Sequence, residues 1–308
     1  MALAATLCCG LLSVARPPSG PQKFARPPKW TPDVMNVFYP DARAKLVGAR
    51  PDFQHIEVVA TNSRDADKSA SGQSKPGTGW SKLIDADTIE SEIKRISPEL
   101  AKATKSPSEF KSGGFKDCRR DFSVLAALFA VDAEYDGEVR WQDVAPGLRD
   151  AFARAGHNCK AASDQTFQEA AQRRQDLGDL IAGNRPKTTT AVRRADWSTV
   201  ADRPPLMQRL NIAHQDRLTK WLATKTEFAA HRDDVKTEAQ LAATIADIIG
   251  HEGYEYWDDE SYAKFARSLR QAASDVAAAV DADNYEQAQQ ANNRMSKACI
   301  DCHEGFRG

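Results

Sequence analysis

The chain ends on Cys299-Ile300-Asp301-Cys302-His303-Glu304-Gly305-Phe306-Arg307-Gly308. Two thiols spaced Cys-x-x-Cys, followed at once by an imidazole, can do two kinds of chemistry. In one, each thiol adds to a vinyl group of a haem, and the adjacent imidazole binds the iron from below the ring. In the other, the thiols cycle between dithiol and disulfide. That second use normally places Cys-x-x-Cys at the start of a helix in a βαβ unit, where the helix N-terminus lowers the thiol pKa. Here the motif closes a long helical pattern with no strand nearby. The spacing therefore points to one covalently attached haem c on Cys299 and Cys302, with His303 as the proximal iron ligand.

The elements that must position this motif are helical. Tyr285, Ala288, Asn292, Met295, Cys299 and Cys302 share one face of the last helix. Before it, Tyr262, Phe265, Leu269, Ala272, Val276 and Ala279 recur by threes and fours, a heptad-like seam. Leu241, Ile245, Ile248 and Ile249 mark a helix that stops at Gly250, and Met207, Leu210, His214, Leu218 and Trp221 mark a first one. Short connections between such helices give antiparallel neighbours, hence an up-down-up-down four-helix bundle. The same series occurs once earlier. Trp80-Ser81 is echoed by Trp197-Ser198, Glu109-Phe110 by Glu227-Phe228, Leu125 by Leu241, Gly137 and Trp141 by Gly253 and Trp257, and Phe167, Ala170 and Leu177 by Tyr285, Ala288 and Met295. A nearly constant offset between such pairs is the mark of a repeated folded unit. In the first copy, Pro98 falls inside the first helix and predicts a kink there or a later start.

The expected fold is all-α: two tandem antiparallel up-down-up-down four-helix bundles, preceded by an irregular arm and a flexible linker. Residues 1–15 (MALAATLCCGLLSVA) read as a signal peptide, with Ser13-Val14-Ala15 as a small-x-small cleavage site but without the usual leading basic residues. Residues 16–79 are a Pro-rich arm and a Ser/Gly-rich linker. Residues 80–190 form the first bundle and residues 191–308 the haem bundle. The net charge of −1 and the absence of a long basic run argue against nucleic acid and against a membrane surface. No nucleophile–base pair or carboxylate dyad suggests an enzyme.

A four-helix bundle whose last helix ends in Ala298-Cys299-Ile300-Asp301-Cys302-His303 and then Phe306-Arg307 resembles the cytochrome c′ family. The resemblance covers about residues 203–308. It implies a haem lodged between the helices near the end that carries the C-terminus, His303 beneath the iron and Arg307 as a charged neighbour of that face. It also implies an apolar distal side with five-coordinate iron, touched by Leu210. Such bundles often pair, which implies either a homodimer or a first copy that takes the pairing surface within one chain. That first copy departs from the motif, with Ile181, Asn184 and Arg185 where Cys299, Cys302 and His303 stand in the second. It therefore lacks a covalent haem.

Other residues have two readings each. His214, on the apolar face of the first helix, is either a distal iron ligand or a hydrogen-bonded core histidine, and Met207 on the same stripe is either a ligand or core. Arg209 and Arg217 either pair with haem propionates or sit on a solvated face. His251, Tyr254, Tyr256 and Trp257, in the loop at the haem end, either cover the haem edge or simply pack, since Trp141 holds the matching place in the haemless copy. Cys118 and Cys159 are brought to one end of the first bundle and are expected to form a disulfide in an oxidising, periplasmic setting. The expected function is electron transfer by an exported monohaem c-type cytochrome with an unidentified redox partner. The alternatives are binding of a diatomic gas such as nitric oxide or carbon monoxide, or use of the first bundle as a docking module.

Overall fold

The computed structural model describes residues 79–185 and 196–306, all within one compact unit. Among them every regular element is helical. A 3₁₀ turn at Trp80–Lys82 precedes α1 (Ala86–Ala103), α2 (Pro107–Glu109), α3 (Phe115–Ala133), α4 (Ala145–Asn158) and α5 (Asp164–Ile181). Then follow α6 (Trp197–Val200), α7 (Arg203–Asn211), α8 (Thr219–Trp221), α9 (Lys225–Ala230), α10 (Arg232–Ile248), α11 (Glu260–Asp281) and α12 (Tyr285–Phe306). Ile212–Leu218 is π-helical, so α7 runs through a wider turn into α8, whereas α2 and α3 are joined across a kink at Gly113 (φ 158°). The signal peptide, arm and linker, with Cys8 and Cys9, lie outside the described residues, as does Arg307.

Local chemistry sets the helix starts. Ser106 accepts from the Glu109 amide at 3.1 Å, and Thr224 accepts from the Glu227 amide at 3.1 Å, so both copies open their second helix with a Ser/Thr-x-x-Glu cap. Asp259 caps α11 through the amides of Ser261 (2.8 Å) and Tyr262 (3.0 Å). Pro98 does not delay the start of the helix: α1 runs from Ala86 to Ala103 with Pro98 inside it. Pro98 is on the exposed face, where water can satisfy the carbonyl that the proline ring leaves without a donor.

In the first copy α1, α3, α4 and α5 close a ring, each packed on two neighbours, including α1 on α5. In the second copy α10 packs on α11, α11 on α12, and the π-turn on α10, but the first helix comes close to α12 at few points. A cavity lies between them. The core side chains of the two copies also differ. Phe152 stacks on Phe122 at 5.8 Å and on Phe129 at 5.5 Å, filling the first bundle. At the places 117 residues further on stand Leu269, Ala239 and Ala246. Three phenyl rings against one Leu and two Ala is a large loss of buried volume.

The two copies are not separate beads. Trp80 meets its own counterpart, Trp197, with ring centroids 5.3 Å apart. Glu92 meets Arg209, its counterpart 117 residues on, at 2.8 Å. Asp85 pairs with Lys236 at 3.1 Å, and the counterparts of those two residues, Asp202 and Arg119, pair at 3.0 Å. Helix α3 packs on α7, and α1 on α10. Contacts of i with j repeated as j with i are the pattern of an isologous two-fold interface, here built inside one chain.

At its centre Arg209 (1% exposed) bonds Glu92 at 2.8 Å and Glu238 at 2.7 and 3.0 Å. Arg95 and Arg217 complete the charges of Glu92 and Glu238. Burial alone would raise the Glu92 carboxyl, but Arg209 and Arg95 pull it down to about 2. Arg209→Ala leaves two buried carboxylates with one arginine each, Arg95 and Arg217, and removes the charge between them, so it is expected to lower unfolding free energy by about 3 kcal/mol. Replacing Arg209, Glu92 and Glu238 together by Met and Leu is expected to cost far less. Urea unfolding of the two variants checks this.

Cys118 and Cys159 meet at one end of the first bundle, fully buried and within hydrogen-bonding reach of each other, and both are thiols in this structure. The hydrogen bond with Cys159 and burial push the Cys118 thiol up. Denaturing the unreduced protein is expected to expose two titratable thiols here; a count of zero would mean that the bridge closes in the mature protein.

Candidate functional site

The cavity holds about 410 Å³, within the ~300–1,000 Å³ of ordinary ligand pockets. One wall is the first helix of the second copy, with Met207, Leu210 and Asn211 from α7 and His214 from the π-turn. Ile249 closes the floor and α11 gives Phe265 and Leu269. Helix α12 brings the motif: Cys299, Cys302 and His303 all border the cavity, as does Ile300 at its mouth, 59% exposed. The sequence motif and the cavity therefore coincide.

The last turn of α12 is held in place by aromatics. Phe306 packs on Tyr256 (5.2 Å), Tyr262 (5.5 Å) and Phe265 (6.3 Å). Arg203, at the start of α7, lies over Tyr256 (5.4 Å) and Tyr262 (5.8 Å) and bonds the Glu255 carboxylate at 2.6 Å. Residue spacing did not single it out. The only hint was its place at the first turn of the helix that faces the motif.

Both thiols are poor thiolates. Burial, with a smaller effect of Cys302, pushes Cys299 up to about 11; burial also raises Cys302, against the pull of Arg203. They sit at the C-terminal end of a 22-residue helix, where the helix dipole opposes negative charge. A dithiol–disulfide catalyst needs the opposite arrangement.

His214 is buried in the cavity wall with both ring nitrogens engaged. The Gln215 amide nitrogen, which can only donate, lies 2.9 Å from Nδ1, so Nδ1 accepts. The proton is then on Nε2, which donates to Ser296 Oγ at 2.9 Å, and that hydroxyl donates to the Asn292 carbonyl at 3.3 Å. Burial lowers the His214 pKa, favouring this neutral form. The chain of bonds ties the first helix to α12 across the cavity. Ser296 was not foreseen, because a serine on a helix face carries no signal until its partner is known.

Four of the residues considered lie elsewhere. Arg209 and Arg217 are not at the cavity: both bind Glu238, and Arg209 reaches Glu92 of the first copy. Trp257 does not line it and is 41% exposed, whereas Trp141 is buried against Phe129. The cause is the shape of the loop. Tyr254 is drawn toward α6 by bonds to the carbonyls of Trp197 (3.0 Å) and Ala201 (2.9 Å), and Tyr256 adopts φ 66° to reach Phe306, which leaves Trp257 outside. His251 stacks on Trp197 at 5.4 Å, at the contact between copies and not over the cavity.

Among the described residues no cluster of three or more His, Cys, Asp or Glu forms a metal site, and no helix is long and apolar enough to cross a membrane. Comparison with protein-family models, with curated proteins and with solved structures found no match for this chain.

Proposed function

We propose that the chain is an exported monohaem c-type cytochrome that transfers electrons, with its haem held in the second four-helix bundle and resembling cytochrome c′. One observation carries this reading: Cys299, Cys302 and His303 border one largely apolar cavity together with Met207, Leu210, Phe265 and Leu269. The residues present fit the group. Two unionised thiols one turn apart suit thioether attachment, an imidazole follows directly, and the cavity walls are Met, Leu, Ile and Phe.

Bound there, haem supplies an iron that carries one electron or, with a free coordination position, binds a diatomic gas. Cys299 and Cys302 hold the group covalently and His303 offers the iron its imidazole. Met207, Leu210, Phe265 and Leu269 exclude water, which favours the less charged oxidation state. Two cations stand by the motif: Lys297, paired with Asp301 at 2.9 Å, and Arg203, which lies over Tyr256 and Tyr262 and acts on the Cys302 thiol. Periplasmic export belongs to this proposal, since covalent haem attachment takes place outside the bacterial inner membrane.

A second reading, gas binding, is favoured by His214. With Nδ1 accepting from Gln215 and Nε2 donating to Ser296, it has no lone pair free for iron. His214→Ala is accordingly expected to leave the spin state of the iron unchanged, and the reduced wild type to bind carbon monoxide. A low-spin to high-spin change in that variant would make His214 a ligand and favour electron transfer alone. The test of the main proposal is the mass of the exported, purified chain. It should exceed the peptide mass by one haem, and acid–acetone should fail to extract the colour. An extractable haem, or none, would overturn the reading.

A further inference from the structure

The wall of the cavity that faces α12 is held from behind by the other copy. On α7, Met207, Leu210 and Asn211 turn to the cavity. Leu206 and Arg209 form a second stripe on the same helix, both fully buried. Arg209 is fixed by Glu92 of α1 and by Glu238 of α10, and Glu238 also binds Arg217 inside the π-turn that carries His214. One face of the π-turn is therefore pinned to α10 through Arg217, while the other is pinned to α12 through His214 and Ser296. A π-turn holds one more residue per turn than its neighbours and is a place where a helix can shift register. Its position here depends on charges from both copies.

We infer that the haemless copy serves as a positioning partner for the cavity, with Glu92 holding Arg209 and through it the α7 and π-turn wall that presents Leu210 and His214. The first copy thus acts on the site without touching it, which gives a use to a bundle whose own core is closed. Glu92 is a positioning residue. An uncharged residue in its place leaves the Arg209 guanidinium buried against a single carboxylate that it must share with Arg217, and the wall loses its fixed point.

The inference rests on the haem reading for only one of its two readouts. The first is amide hydrogen exchange in the full chain produced without haem. Glu92→Gln is expected to speed exchange across Leu210–Leu218 at least tenfold, and Glu92→Asp, which keeps the charge, to restore most of the protection. Thr88→Val is the control. It removes another buried bond between copies, Thr88 to Gln240 at 2.6 Å, that does not touch α7. A general loosening would move both variants alike, whereas positioning moves only Glu92→Gln in that segment. The second readout is the rate of carbon monoxide binding to the haem-loaded chain, expected to change severalfold in Glu92→Gln and not in Thr88→Val. Unchanged exchange in Leu210–Leu218, or equal acceleration by Thr88→Val, would overturn the inference. A wild type without haem would overturn the functional reading instead, with the exchange result still deciding this one.

Discussion

Cys299→Ala combined with Cys302→Ala is expected to abolish covalent haem completely while leaving a folded helical chain. Each thiol can supply one thioether bond, so either single variant should still retain haem through acid–acetone and the double variant none. The fold should survive because α12 does not depend on its sulfurs for its place. Phe306 is held by Tyr256, Tyr262 and Phe265, and Met295 and Ala298 of the same helix are buried in the core. Unchanged far-ultraviolet circular dichroism with loss of the haem mass is the expected pair of results. His303→Ala separates the roles further: the haem mass should remain, while the spectrum of the iron changes. Covalent colour in the double variant would show that the attachment site lies elsewhere.

Asp132→Asn is expected to stabilise the protein increasingly as pH rises. Asp132 is 1% exposed and neither carboxylate oxygen has a hydrogen-bond partner. Burial, with a smaller contribution from Glu90, raises its pKa from 3.8 to about 7. A carboxyl with a raised folded pKa binds its proton more tightly in the folded state. Its contribution is therefore full below pH 3.8 and is lost as pH rises through about 7. The loss amounts to ~4 kcal/mol at 1.36 kcal/mol per pKa unit. The difference in unfolding free energy between Asp132→Asn and wild type should widen by about that much between pH 4 and pH 8. A difference that stays constant over the same range would mean that Asp132 titrates normally. Its counterpart 117 residues on is Ile249, part of the cavity floor, so Asp132→Ile is the variant that copies the second bundle and should show the same gain without any titration.

The sequence by itself determined the all-helical class, the helical faces and the motif, because these depend on short-range spacing. The stripe Tyr262, Leu269, Ala272, Val276 and Ala279 is buried as its periodicity requires, and Cys299, Cys302 and His303 share the cavity edge because they follow one another on one helix. The meeting of Cys118 with Cys159 followed from topology alone. What only the tertiary structure decided is which way each polar side chain turned. Arg209 looked like a residue for propionates or solvent. It is buried because Glu92, 117 residues away, arrives opposite it when the two copies dock, and no local pattern encodes that encounter. His214 read equally as an iron ligand or a hydrogen-bonded core histidine, and only the structure set Gln215 and Ser296 beside its two nitrogens. Trp257 and Trp141 shared a sequence context but not an environment, because one loop was pulled by Tyr254 and Tyr256 and the other was not. The cavity itself is bounded by side chains from α7, the π-turn, α11 and α12, which enclose a volume only once those helices face one another. Periodicity states that a face is buried; what it is buried against depends on long-range docking, where a buried charge is tolerated only if its partner comes with it.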